Sequence, residues 1–419
     1  MKYLIFCIFF SCIAMQDPLA QFGIGASNEV SINYNDINPV YIKDVYIHNS
    51  SIYIFFITGE FHGVVRQHDM AGNVLKEVVM MTSGDPFYII DKIQILWKEN
   101  YFYVPGWCRS GNRTYGVIQK YNYQVELQES FGNNGTVIFG DINASLLFNS
   151  IASVGSKYFA AGYNEIQWGG ADDQVDSSYM LVDFNLENGS INHYYQESAL
   201  INGNTRSVKF MEPYYQNSKY YVVGITFENE LIYQELNENN DLLFQKVDGV
   251  RIDYMIPVNE ARTQFYGVDN LHHYLYLITI TLGLENALEV NKVADIGSFG
   301  SNSYPWVSSL AIKNKTLLLG GGYDTSILSY NISTPFVLAY NIADPVNPVW
   351  DTTYFKDGRW GMQGLFPGNY YKSAIFFLRN NPYSFLLGYG SVLFHVASPK
   401  GFYDSLDNIK KSQLVPFVS

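Results

Sequence analysis

The chain has 419 residues, 47% of them hydrophobic and only 16% charged, with a formal net charge of −13. A chain of this length can bury a large apolar core, and without a basic run it has nothing to neutralise phosphates, which argues against a nucleic-acid partner. Its three cysteines are Cys7, Cys12 and Cys108, too few and too badly placed for a disulfide scaffold or a cysteine zinc site.

Met1-Lys2, the apolar stretch Tyr3 to Phe10 and the small-residue site Ser11-Cys12-Ile13-Ala14 read as a secretory signal peptide, residues 1–14, cleaved after Ala14. A buried N-terminal strand is the structural alternative. A lipoprotein site at Cys12 is a further option, which Phe9-Phe10 fit poorly. The apolar stretch is shorter than the ~20 residues of a transmembrane anchor. Cleavage leaves Cys108 alone, so no intrachain disulfide is expected. The chain is expected to be secreted and extracellular, or periplasmic or on the cell surface in a bacterium, where an acidic balance serves solubility.

The first repeat reads as four short strands at Tyr41 to Ile47, Ile52 to Thr58, Val64 to His68 and Val74 to Met80, with Asn, Ser and Gly at the turns. First strands recur near Ile90 to Leu96, Leu147 to Val154, Val208 to Pro213, Phe265 to Asp269, Val307 to Ile312 and Met362 to Phe366. The last copy adds runs at Ser373 to Leu378, Ser384 to Leu387 and Val392 to Val396, and Glu29 to Tyr34 is a candidate outer strand that joins the two ends of the chain. Helical periodicity is absent, and so is a glycine-rich strand-to-helix turn, which removes Rossmann and P-loop readings.

Two short words keep this count. One is an apolar run that mostly stops at glycine: Ile52 to Gly59, Tyr101 to Gly106, Lys157 to Gly162, Tyr220 to Gly224 and Thr316 to Gly320. The fifth copy, Tyr274 to Ile280, lacks the glycine. The other ends on Asp or Asn before a turn, at Asp69, Asn122, Asn185, Asn237, Asn291 and Asn341, spaced 53, 63, 52, 54 and 50 residues apart. A period near fifty marks a repeat architecture. Four-stranded units of that length bury both faces by radial closure, so residues 15–400 are expected to form one all-β domain, a single β-propeller of about seven four-stranded blades, with six or eight left open. Residues 401–419 are expected to be a C-terminal tail packing on or extending from the propeller. Two stacked β-sandwiches are the alternative, disfavoured by the regular period.

The run Tyr121-Asn-Tyr-Gln-Val-Glu-Leu-Gln-Glu-Ser-Phe131-Gly132-Asn133-Asn134-Gly135-Thr-Val, within Tyr121 to Gly140, resembles the delta-60 repeat, with Asn134-Gly135 suited to a tight positive-φ hairpin. The run Phe336-Val-Leu-Ala-Tyr-Asn-Ile-Ala-Asp344-Pro345-Val-Asn347-Pro348-Val349 resembles the LVIVD-type repeat, in which an Asp-Pro-x-Asn-Pro turn follows a strand. Both resemblances imply a propeller fold rather than a chemistry.

Within the repeats the two words lie 10, 16, 23, 13 and 21 residues apart, so the loop between them tolerates insertion. That loop and the connections between blades fall on one rim. The candidate ligand-binding residues there are Trp107, Arg109 and Arg113 in the second copy, Trp168, Asp172 and Asp173 in the third, and Tyr323 and Asp324 in the sixth. Trp306, Arg359 and Trp360 join them from the connections entering blades six and seven. Exposed aromatic and Arg side chains are typical of binding surfaces, whereas Trp is as often buried packing.

Asp172-Asp173-x-x-Asp176 has the hard oxygen ligands calcium takes but lacks the alternation and terminal Glu of an EF-hand, so a solvated acidic loop is the reading and no cofactor or metal is expected. The seven histidines show no ligand spacing, and His272-His273 would point to opposite faces of a strand. Cys108 reads as a small packed residue. Sequons at Asn49, Asn112, Asn134, Asn143, Asn188, Asn314 and Asn331 are glycosylation candidates. The reading is a secreted, non-catalytic propeller that binds a protein or glycan partner through this Trp/Arg rim, its catalytic residues and oligomeric state unassigned. The alternative is an extracellular hydrolase or lyase acting on carbohydrate with acids from several blades, for instance Asp173 with Asp324 or Asp357. A third class is a purely structural surface module.

Overall fold

The computed structural model describes residues 29–397 apart from 34–40, 49–50, 59–61, 70–72, 83–84, 90–94, 99, 112, 140–144, 155, 168–174, 198–199, 202–203, 206–207, 217–218, 227–228, 237–243, 260–262, 282–287, 297–304, 328–329, 354–358, 362–365, 368–372, 378–383 and 390–391. The expected leader 1–14 and tail 401–419 lie outside the described residues.

The described strands form seven principal antiparallel sheets of the blade type, with no helix among them. Blade one holds Tyr41–His48, Ser51–Ile57, Gly63–Asp69 and Val74–Val79, the four strands expected. Blade two has a broken inner strand, Asp85–Tyr88 and Leu96–Trp97, followed by Tyr101–Ser110, Arg113–Asn122 and Thr136–Phe139. Blade three runs Ser145–Val154, Lys157–Gln167, Val175–Phe184 and Ile191–Glu197. Blade four runs Val208–Gln216, Lys219–Thr226, Glu230–Leu236 and Phe244–Arg251. Blade five holds Tyr254–Pro257, Gln264–Asp269, Tyr274–Ile280 and Leu288–Asp295. In blade six, Pro305–Lys313, Thr316–Ile327 and Tyr330–Asn341 are followed by an interrupted outer edge, Val349–Trp350, Arg359–Gly361 and Phe366–Pro367.

These six blades are built from consecutive segments, and the seventh is composite. Ser373–Phe377, Ser384–Tyr389 and Val392–Ala397 supply three strands, and Glu29–Asn33 pairs antiparallel with the last of them as the fourth. The inner strand of blade seven touches the inner strands of blades six and one, so the ring closes through the N-terminal strand.

Three expected strands move. Phe265 to Asp269 lies within the second strand of blade five, not its first, and Tyr274 to Ile280 is the third. This explains the missing glycine in that copy: the true second strand carries Gly267, and Asn291 falls on the outer strand. In blade two, strand pieces flank the expected Ile90 to Leu96. Near Met362 to Phe366, Phe366 pairs with Ser333 of blade six, so it ends that blade rather than starting the next. The fourth place of blade seven is thereby left to the N-terminal strand.

Each second strand is covered by the neighbouring blades on both faces, which is why the first word is a continuous apolar run rather than an alternating one. Ser51–Ile57 is buried at every position after the first, whereas the outer strand Val74–Val79 is largely exposed. Phe102 and Val104 pack with Tyr53, Phe55 and Ile57 of blade one, while Tyr103 between them packs with Phe148 and Ile151 of blade three. In blade five, Phe265 joins the cluster with blade four, and Tyr266 and Val268 join the cluster with blade six.

A polar latch recurs at these junctions. Tyr53, Tyr103 and Tyr266, each the third residue of its second strand, donate their hydroxyls across to the next blade, to the carbonyls of Tyr123 (2.7 Å), Leu186 (3.1 Å) and Pro345 (3.0 Å). Each accepting residue is the middle one of an Asx turn, in which Asn122, Asn185 or Asp344 takes the backbone N–H two residues on. The Asn or Asp shapes the turn, and the turn holds out the carbonyl that the tyrosine of the preceding blade needs. Burial pushes the Tyr53 hydroxyl up to about 12 and those of Tyr103 and Tyr266 upward as well. The Asn134-Gly135 hairpin is tight as expected, with φ of 49° and 81° and mutual backbone bonds between Asn133 and Thr136.

Tyr103→Phe and Tyr266→Phe each remove the donor to a part-buried carbonyl, which should lower the unfolding free energy by about 1 kcal/mol. The two losses should add in the double variant because the sites are far apart. Denaturant melts with unchanged m-values check this; a loss below ~0.3 kcal/mol in either single variant would show that the latch does not hold the junction.

Candidate functional site

Inner strands begin, and second strands turn into third strands, at one rim of the ring, here called the upper rim. Strand register shows how the inner strands reach it. Four of them carry a one-residue bulge: Lys43 in blade one, Asn149 in blade three, Lys209 in blade four and Ser308 in blade six are each the extra residue between two paired neighbours. In blades one, three and six the bulge stands opposite the fifth residue of the second strand. A bulge bends and twists the strand locally.

In blades three and six a glycine stands beside the bulge, at Gly162, which ends the first word, and at Gly321, one residue beyond its end. A Cβ on Gly162 would lie 1.9 Å from the Leu147 carbonyl oxygen, and one on Gly321 1.9 Å from that of Trp306. At these two positions the absent side chain lets the inner strand approach this closely, whereas blade one carries Phe56 at the same register place.

The bulges place polar groups in the inner strands. Lys43, Asn149 and Ser150 are buried, and Ser309 Oγ donates to the Gly320 carbonyl at 3.3 Å. Asp44 is half-buried beside its bulge; burial pushes its carboxyl up to about 7, against the Val45 N–H that donates to it at 2.8 Å.

Blade five places its second-to-third-strand turn, residues 270–273, against the start of the inner strand of blade six. Asn270 Nδ2 donates to the Val307 carbonyl and the Val307 N–H donates back to Asn270 Oδ1, both at 2.8 Å, so this amide substitutes for a strand partner next to the blade-six bulge. The Asn270 N–H in turn donates to Asp253 Oδ2 at 2.9 Å. Trp306, the residue between Pro305 and Val307, is 40% exposed there. Asp269, 1% exposed, accepts the N–H groups of Leu271 and His272 and holds the His272 Nδ1 at 2.6 Å, while the His272 side chain is 55% exposed. His272 and His273 therefore occupy a turn, with φ of 58° at His273, and not a strand. Burial pushes the His273 imidazole down.

The other candidates distribute unevenly. Trp107 is half-buried, stacked on the Tyr88 ring at a centroid distance of 4.2 Å, and Arg109 is exposed near the end of the same strand. Arg113 begins the third strand opposite Ser110. Tyr323 and Asp324 lie on the second strand of blade six, paired with Thr334 and Ser333, rather than in a loop, because that hairpin extends to Ile327. Tyr323 also pairs with Pro305 and Trp306 with Gly322, so Trp306 and Tyr323 stand on adjacent strands of the upper rim but are not cross-strand partners.

Arg359 and Trp360 are not brought to Trp306. They pair with Leu338 and Val337 on the outer edge of blade six, three strands and about 14 Å away. Asp176 pairs with Ile166 at the same rim of blade three, while Trp168, Asp172, Asp173 and Asp357 lie outside the described residues. Among the described residues no group of three or more His, Cys, Asp or Glu could hold a metal ion. Cys108 is buried, and burial followed by the Asp85 charge pushes its thiol up to about 11, as befits a packed residue. The sequons Asn134, Asn188 and Asn314 are at exposed turn positions; Asn331 is on a strand, and Asn49, Asn112 and Asn143 lie outside the described residues.

The bulges and the Asp269–His272 pair are what sequence reasoning missed. A signal existed for the bulges: polar pairs, Lys43-Asp44, Asn149-Ser150 and Ser308-Ser309, interrupt otherwise apolar first strands.

No family model and no curated protein matches the chain. It is similar to the solved structure of a catalytically inactive virginiamycin B lyase from Staphylococcus aureus with quinupristin, at 10% identity and a TM-score of 0.49, covering 88% of this chain and 98% of that one. It is also similar to prolyl oligopeptidase B from Galerina marginata, at 12% identity and a TM-score of 0.45, covering 84% of this chain and 47% of that one, so it spans about half of that protein. The propeller assignment itself stands on sheet order and register.

The Asp44 carboxyl returns to an ordinary value of 3.8 on unfolding. The folded protein then binds more protons between pH about 4 and 7, so stability should fall as pH rises through that window. Asp44→Asn removes the titration and should melt higher than the unmodified protein at pH 8 but not at pH 4. A melting-temperature difference that stays constant between those pH values would reject the assignment.

Proposed function

We propose that this protein is a secreted, ligand-binding β-propeller whose upper rim takes a protein or glycan partner around Trp306. The observation that carries the reading is an indole 40% exposed at the mouth of an inner strand, next to a residue bonded by the blade-five turn that also presents an exposed imidazole at His272. A large ring held on a rigid strand contributes flat contact area at little entropic cost, and aromatic and Arg groups dominate binding hot spots. Asn270 bonded to both polar groups of Val307 supports this, because it anchors the backbone next to Trp306. Arg109 adds a cation at the same rim. Trp107 serves this surface less well, since its ring is spent on Tyr88.

In a glycan array or a pull-down with a defined partner, Trp306→Ala combined with Arg109→Ala should reduce binding at least tenfold while leaving the melting temperature within a few degrees. Undiminished binding by a folded variant would overturn the reading.

A second reading, an extracellular hydrolase or lyase acting on carbohydrate, is favoured by the Asp269–His272 pair. A buried carboxylate on one ring nitrogen sets the tautomer and leaves the other to move a proton at a sugar hydroxyl or water. If a screen of glycoside, ester and phosphoester substrates detects turnover, His272→Ala should lower it by about 10²–10⁴-fold. Full turnover in that variant would remove His272 from any such role.

A further inference from the structure

The rim opposite Trp306 holds an independent feature between blades two and three. Lys120, on the third strand of blade two, is only 7% exposed. Other deeply or partly buried cations reach carboxylates: Arg66 meets Glu77, Lys157 Nζ lies 3.0 Å from Asp183, and Arg251 lies 3.2 Å from Asp253. Lys120 has no such partner and no hydrogen-bond acceptor among the described residues. Its ammonium lies over the rings of Tyr101 (4.4 Å), Tyr103 (5.4 Å) and Phe131 (5.7 Å). Burial lowers its pKa, with the Glu187 charge pulling the other way. A desolvated ammonium with no carboxylate in ion-pair contact, Glu187 acting only at longer range, carries a cost that ring faces offset only in part.

That ammonium lines a pocket of about 310 Å³, shared with Lys98, Asn100, Tyr101, Tyr103, Leu186 and Glu187. The pocket is built by the latch: the Leu186 carbonyl held by the Tyr103 hydroxyl fixes the blade-three turn as one wall. A larger depression of about 640 Å³ shares Leu186 and Glu187 and continues past Lys157 and Asp183, whose charges already neutralise each other.

We propose that this pocket binds a small monocarboxylate of monosaccharide size, its carboxylate on the Lys120 ammonium and its body between Tyr101 and the Leu186 turn. Two lysines against one glutamate leave one net positive charge in the lining, which a monoanion neutralises and a phosphate dianion overshoots. The volume sits at the small end of ligand pockets, and tyrosine walls suit the face of a sugar ring. The site does not depend on the upper-rim reading, because Tyr101 and Arg109 stand near opposite ends of one strand.

The test is saturation-transfer NMR and calorimetric titration of the whole chain with glucuronate, glucose and inorganic phosphate. Glucuronate should bind, with glucose and phosphate at least tenfold weaker. Lys120→Met should abolish glucuronate binding without lowering the melting temperature, since it removes a desolvated charge. Glu187→Gln, at an exposed position, should tighten binding several-fold and serves if Lys120→Met does not fold. Equal binding of glucose, tighter binding of phosphate, unchanged binding in Lys120→Met, or no gain in Glu187→Gln would each overturn the proposal.

Discussion

Everything in this molecule depends on the junction between one blade and the next. A four-stranded sheet of these residues has two apolar faces, and an isolated blade leaves both wet. Closing seven sheets into a ring covers them, but apolar faces alone slide easily past one another. The tyrosine hydroxyl donated to the carbonyl in the next blade's Asx turn supplies direction. Because the tyrosine is buried, the bond is worth more as a constraint on register than its energy of about 1 kcal/mol suggests: a slipped blade would strand the hydroxyl without a partner.

The same junction divides the molecule into two kinds of rim. At the lower rim the Asx turns are held against the preceding blade, and pockets form where a turn and a latch meet, as at Leu186 and Lys120. At the upper rim the inner strands are bent by bulges, and the side chains there answer to backbone geometry set one strand away, at Gly162 and Gly321. Trp306 is exposed because the strand carrying it begins above a bulge and is tied down by Asn270 from blade five. On that same blade-five turn, His272 is presented by the buried Asp269 that organises the turn. Rigid support beneath, with large side chains above, is the physical basis of a recognition surface.

Much of the fold was legible in the chain. Ile52 to Thr58 shows as a continuous apolar run because a second strand is covered on both faces, and Asp69 or Asn122 shows as turn punctuation because only short polar side chains cap such a turn. Even Glu29 to Tyr34 reads as the closing strand. Blade five did not read true: its tight turn sits between second and third strands, so Tyr274 to Ile280 imitates the first word one strand late. The candidate site was legible only in part. Trp306 and Tyr323 share the upper rim of blade six, but Arg359 and Trp360 belong to the far edge of the same sheet, since nothing in a local run distinguishes a connection from an interrupted edge strand.

The sequence by itself determined the architecture: repeat period, strand content, and glycine and Asx positions. These are local properties, set by backbone sterics, turn chemistry and the pattern of apolar residues. Tertiary structure alone decided that Tyr103 would meet Leu186, that Asn270 would pair with Val307, and that Lys120 would be buried in one pocket lining with Glu187 but out of ion-pair contact with it. Those residues lie 83, 37 and, for Lys120 and Glu187, 67 positions apart in the chain. Proximity over such separations follows from ring closure, which no stretch of the sequence encodes on its own.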